Sequence, residues 1–195
     1  WPRQNGTSGA TIISDVKCWD LVMDNHGYLY VSDTEKHEVR RWKIGETNGT
    51  LVAGGNGKGD RLDQFDGPRY ICVDQDQTVY VSDNRNHRVM KWLKGAKEGI
   101  VVAGGNGSGS SLSQMYYPSR IMVDSLGTIY VVDSANHRIV RWLNEAKEGS
   151  IIVGGNGKGN QSNQLDYPID FSFDQQNNLY VLDRDNYRVE KFIID

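Results

Sequence analysis

Three histidines, His37, His87 and His137, stand 50 residues apart in this chain. Three imidazoles are enough to hold a zinc ion, provided that all the nitrogens can come within about 2 Å of the metal. Two aspartate series keep the same interval: Asp33, Asp83, Asp133 and Asp183, and Asp24, Asp74, Asp124 and Asp174. Carboxylates that converge in this way can hold calcium or share acid–base work. The loop Gly54-Gly55-Asn56-Gly57-Lys58-Gly59 returns at 104–109 and 154–159. Glycines beside a lysine are also the ingredients of a phosphate-binding loop. Arg41-Trp42, Lys91-Trp92, Arg141-Trp142 and Lys191-Phe192 pair a cation with an aromatic ring, the combination on which nucleic-acid bases stack.

What these groups can do depends on the elements that carry them. The phrase aliphatic-Tyr-Val-x-Asp occurs four times, with its tyrosines at 30, 80, 130 and 180. A period of 50 residues held without a slip marks a repeat architecture. Within one repeat, Ile121-Met122-Val123, Thr128 to Asp133, Arg138 to Leu143 and Ser150 to Val153 are β-rich runs separated by hairpin-length turns. Leu143 to Glu148 has room for at most a single helical turn. Four strands per repeat predict a β-propeller, with each repeat a four-stranded antiparallel blade around a channel. The first strands, Leu21-Val22-Met23, Ile71-Cys72-Val73, Ile121-Met122-Val123 and Phe171-Ser172-Phe173, are nearly continuous apolar runs, as strands packed on both faces require. A β-helix would use shorter coils.

Placed on such blades, most of the reactive groups lose their chemistry. The histidines fall in the turn between second and third strands. With strands about 4.8 Å apart, that turn lies outboard of the channel wall, and the three rings are too far apart for one zinc. Each His, with its neighbouring Arg, is expected to fix its own turn against the Asp four residues upstream. The two aspartate series end strands and precede turns, where capping is their ordinary use. A ring of them at a channel mouth leaves a cation such as calcium as the one cofactor the pattern allows. No Ser or Thr follows Lys58 and no helical run follows the glycines, so these loops are connectors whose glycines supply positive φ. The tryptophans pack blades, and the preceding basic residues lie on the opposite face with their stems across the sheet. Cys18 stands where the other copies have Pro, and Cys72 lies in a first strand. A disulfide between them and two separate thiols both fit the sequence.

The motifs Asn86-His87-Arg88-Val89 and Asn136-His137-Arg138-Ile139 resemble NHL repeats. So do the preceding Tyr-Val-x-Asp phrases, and Phe65-Asp66-Gly67-Pro68 followed by Ile71-Cys72-Val73-Asp74. The resemblance runs from about 18 to 195 and departs at Lys36-His37-Glu38 and at Asn186-Tyr187-Arg188. It implies a propeller, usually six-bladed, that serves mostly as a binding platform. Amidating lyases of this type use zinc with His ligands, and some intracellular members bind RNA on a strongly positive face. Only four copies are present here, and the last stops after its third strand. Ala10-Thr11-Ile12-Ile13 is similar to a fourth strand and is able to complete the last sheet and close the ring. The alternative is four repeats of a larger ring.

Composition narrows the partners. The 195 residues carry a net charge of −3, which gives no electrostatic reason to expect nucleic acid or acidic lipid. No apolar run reaches the length a membrane helix needs, and no signal peptide opens the chain, as in a mature product or an excised segment. Asn5, Asn48, Asn106 and Asn160 head glycosylation acceptor patterns in loops, pointing to an extracellular setting. The expectation is therefore one all-β domain over 1–195, with repeats at about 18–67, 68–117, 118–167 and 168–195. It acts as a non-catalytic scaffold for a protein or glycan ligand, without a dedicated cofactor. The ligand would meet rim residues that differ between copies: Glu35, Lys36, Asn84, Arg85, Ser134, Arg184 and Asp185. The rival classes are a metal-dependent lyase- or lactonase-like propeller and an RNA-binding propeller.

Overall fold

A computed structural model describes residues 9–194. Its first blade comprises β1 (Cys18–Met23), β2 (Tyr28–Asp33), β3 (Glu38–Lys43) and β4 (Thr50–Gly54). The second comprises β5 (Pro68–Val73), β6 (Val79–Asp83), β7 (Arg88–Trp92) and β8 (Ile100–Gly104). The third comprises β9 (Pro118–Val123), β10 (Ile129–Asp133), β11 (Arg138–Trp142) and β12 (Ser150–Gly154). The fourth has β13 (Pro168–Phe173), β14 (Leu179–Asp183) and β15 (Arg188–Phe192). Each sheet is an antiparallel meander in chain order. The register is the same in every blade, setting Tyr30 opposite Arg41, Tyr80 opposite Lys91, Tyr130 opposite Arg141 and Tyr180 opposite Lys191. Among the described residues no helix is long and apolar enough to cross a membrane.

The turn chemistry follows from side chains that the sequence repeats. Asp24 Oδ1 accepts the N–H groups of His26 and Tyr28, both at 2.9 Å. Asp74, Asp124 and Asp174 cap their turns in the same way. At the other end of blades two to four, a single 3-10 turn leads into a residue in the left-handed region: His87, His137 and Tyr187. That conformation is uncommon for a side chain of this size and persists only where the surroundings hold it.

The core lies between blades, not within them. Tyr30, Val39 and Ala53 of the first blade pack on Ile71, Val81 and Trp92 of the second, with Phe65 of the connector wedged beside Trp92. Met115 and Leu165 fill the same place at the next two interfaces. Trp42, Trp92 and Trp142 are all buried, as blade-packing residues should be.

The ring does not close as the strand arithmetic suggested. Residues 10–13 form no strand, and the fourth sheet keeps three. Instead Ile13 and Val16 lie against Leu29, Val31 and Trp42 on the outer face of the first blade. The end faces of the stack are open. Val189 is 63% exposed, whereas its counterparts Val39, Val89 and Ile139 are fully covered by the following blade. Leu21 is 64% exposed, against 3% for Ile71 and 1% for Ile121.

Candidate functional site

The histidines, the strand-end aspartates and the arginines form a latch between blades. Asp83 Oδ2 accepts from Arg88 Nε at 2.7 Å and from the Asn86 amide at 2.8 Å, while Oδ1 accepts the Asp66 N–H at 2.8 Å. Arg88 then donates to the carbonyls of Asp60, Arg61 and Gln64, clamping the incoming connector. Asp133 with Arg138, and Asp183 with Arg188, repeat the arrangement. The histidines turn the other way, and here the sequence reading is corrected. His37, His87 and His137 do not brace the Asp of their own turn. Each Nδ1 accepts a backbone N–H from the next blade, from Gly67, Tyr117 and Tyr167 at 3.3, 3.2 and 3.0 Å. Among the described residues no group of three His, Cys, Asp or Glu side chains is placed to hold a metal. Cys18 and Cys72 are both free thiols, the first exposed and the second half-buried, where burial pushes its pKa up.

The inner strands have two ends. At one, the capped turns of the first three blades surround a hollow of about 490 Å³ between Asp24, Asp74 and Asp124. One oxygen of each carboxylate is already committed to its own turn. At the other end the repeat breaks down. The in-phase positions 20, 70, 120 and 170 carry Asp, Tyr, Arg and Asp. Asp20 Oδ2 reaches across to accept the Ile71 N–H at 3.0 Å, and Arg120 Nε lies 3.5 Å from Asp170 Oδ1. Burial raises the Asp20 pKa, partly offset by the Ile71 and Leu21 N–H groups and the Arg120 charge. Burial, and next to it the Asp170 charge, holds the Tyr70 hydroxyl protonated beyond its usual range. Arg69 stacks over the Trp19 ring at 4.3 Å, and Arg184 over Tyr167 at 4.3 Å. Four polar groups of three kinds and two guanidinium–aromatic stacks thus share one mouth. Sequence reasoning missed this set, although the signal was present: an inner-strand position that stays in phase while its chemistry changes from copy to copy.

The rim turns sit at this same end, because Cys18 pairs with Asp33 and Pro68 with Asp83. Glu35, Lys36, Arg85, Arg184 and Asp185 are exposed there. Asn84 and Ser134, expected to face a ligand, are buried. The Asn84 amide donates to the Pro118 carbonyl at 2.7 Å, and the Ser134 and Ser119 hydroxyls are 2.9 Å apart. Asn84 fastens the second blade to the third, and Ser134 holds Ser119, whose hydroxyl donates to the Ile169 carbonyl of the fourth blade at 3.0 Å. Of the glycosylation candidates, Asn48, Asn106 and Asn160 are exposed and Asn5 lies outside the described residues. The Asn106 amide donates to the Ser113 carbonyl at 3.1 Å, as Asn56 and Asn156 do at their own connectors. The Asn106 side chain thus shapes its loop, and its acceptor pattern comes from Ser108, which stands where the other connectors have Lys58 and Lys158.

The family model for the NHL repeat matches residues 65–92 and 115–142. The second and third repeats are NHL repeats. Each match runs from the buried connector residue, Phe65 or Met115, to the buried tryptophan, Trp92 or Trp142, and so contains a full Asp-Asn-His-Arg latch. Repeat one replaces the latch residues with Lys36 and Glu38, and repeat four replaces the histidine with Tyr187. No curated protein matches the sequence. Among solved structures, the fold is similar to that of a protein of unknown function from Bacteroides thetaiotaomicron VPI-5482, with TM-score 0.70 and 18% identity over 90% of this chain and 46% of that one. It is similar to a chain of a nidogen/laminin complex, with TM-score 0.63 and 16% identity over 87% and 56%. A streptogramin B lyase gives TM-score 0.59 and 12% identity over 94% and 57%. At such identities the fold is what is shared. The chain spans about half the length of these structures.

Proposed function

We propose that this chain is a non-catalytic binding module, working outside the cell, that takes a protein ligand at the mouth formed by Asp20, Tyr70, Arg120 and Asp170. The observation that carries this reading is the loss of repetition at that mouth, within blades whose capped turns repeat down to single hydrogen bonds. Repeated residues make the blades. Unlike residues at one in-phase position need another reason, and directional recognition of an asymmetric surface supplies one. The exposed Glu35, Lys36, Arg85, Arg184 and Asp185 extend the same face with both signs of charge. Such mixed charge suits selection of one partner over others more than raw affinity. The exposed acceptor patterns at Asn48 and Asn160 favour an extracellular setting. Similarity to a chain of a nidogen/laminin complex is in keeping with a protein partner, although the same fold also serves a lyase.

The test is surface plasmon resonance of the purified protein against a panel of extracellular-matrix proteins. A bound protein should lose affinity at least tenfold with Arg120→Ala or Tyr70→Ala, with the unfolding midpoint unchanged. Affinity indifferent to both changes would remove the mouth from the proposal.

A further inference from the structure

One interface between blades is not sealed like the first. Between the first and second blades, Gln77 sits in a turn with φ of 62°, an unfavourable conformation for a glutamine. Its side chain uses that position to bridge the preceding blade, donating to Asp24 Oδ2 at 2.9 Å and accepting from Arg41 at 3.3 Å. The equivalent residue in the third blade is Gly127, with φ of 78°, and the equivalent of Arg41 is Lys91. Among the described residues no side chain bridges the second and third blades there. A bay of about 470 Å³ opens instead, with Tyr80, Lys91 and Val102 on one wall and Ile129 and Trp142 on the other.

We propose that this bay binds a small amphipathic carboxylate. Val102 and Ala146, half-buried over the buried Ile129 and Trp142, offer an apolar bed for an aliphatic or aryl body. Lys91 makes no ion pair among the described residues, whereas its counterpart Lys191 lies 3.8 Å from Asp174. The Tyr80 hydroxyl is likewise unspent: Tyr30 and Tyr180 donate to their turn aspartates at 3.2 Å, and Tyr80 has no such bond. Its pKa is pushed up to about 12, by burial first and by Asp74 and Cys72 next, so it remains a donor. An ammonium and a hydroxyl donor at one end of an apolar pocket fit a carboxylate head. Of the exposed groups at the lip, Lys147 adds to this charge and Glu145 opposes it. The bay opens at the end of the blades away from the rim, so it does not depend on the protein-binding face.

The probe is octanoate, titrated into the whole chain by isothermal calorimetry, with octanol and octylamine as controls. Octanoate should bind saturably at one site and at least tenfold more tightly than either control. Gly127→Gln should abolish that binding while lowering the unfolding midpoint only modestly, through the strain of a side chain at positive φ, and should leave the protein folded. The same conformation already holds a glutamine at 77, and a Cβ at 127 meets nothing nearer than Asn144 at 3.7 Å. Lys91→Met should bring octanoate down to the affinity of octanol. Absence of saturable octanoate binding, octanol binding as tightly as octanoate, or unchanged affinity in Gly127→Gln would each overturn the proposal.

Discussion

Replacing Arg138 with methionine removes a latch and keeps its volume. Arg138 is 3% exposed and donates to Asp133 at 2.8 Å and to the carbonyls of Ser110, Ser111 and Gln114 at 2.7, 3.1 and 3.2 Å. Without it, the fully buried Asp133 carboxylate keeps only the Tyr116 N–H and the Asn136 amide. Stranding one member of a buried pair costs about 3–5 kcal/mol. The three carbonyls lie in an exposed loop and recover water, so they add little. Arg188 is the internal control. It holds the four equivalent partners at 2.8, 2.8, 3.2 and 2.8 Å and a further ion pair with Glu190 at 2.9 Å, yet its side chain is 27% exposed at the open end of the stack. Asp183 is itself buried, but water entering the space left by the partly exposed Arg188 side chain solvates it and reduces the cost to about 1 kcal/mol. With a urea m-value of about 2 kcal/mol/M, the midpoint should fall by about 1.5–2.5 M for Arg138→Met and by about 0.5 M for Arg188→Met. Equal shifts in the two variants would refute the claim that burial between blades gives the latch its strength.

Histidine supplies a pH-dependent counterpart. Burial lowers the His87 pKa, so the unfolded chain takes up that proton first and stability falls as the solution is acidified below about 6.5. Protonation of Nδ1 also forfeits the bond from Tyr117, and His87→Ala should flatten the slope of stability against pH between about 7 and 5. Asp83 has the opposite sign. Burial raises its pKa from 3.8 to about 6, so the stability it contributes is complete at low pH and is lost as pH rises through about 6. Urea midpoints of Asp83→Asn should lack that decline between pH 4 and 7. Material produced through a secretory pathway should carry sugar at Asn48 and Asn160 and none at Asn106, checked by peptide mass spectrometry after deglycosylation in heavy-oxygen water.

The sequence by itself determined the blade. Strand alternation, the Asp-capped turn and the glycine connector depend on residues within about five positions of one another, and such contacts are written in the local pattern. Asp24 and Tyr28, or Asp83 and Arg88, could be paired on paper because one turn brings them together. The tertiary structure decided what happens between blades. His87 meets Tyr117 and Asn84 meets Pro118 only after two sheets have stacked, across 30 and 34 residues of chain. A repeat shows that these residues recur without showing which neighbour they face. For that reason Asn84 and Ser134 could be taken for rim residues when they are fasteners. Asp20, Tyr70, Arg120 and Asp170 could likewise be passed over until the inner strands brought them to one mouth. The bay at Gly127 exists because a missing side chain leaves a space only where a second surface stands opposite it.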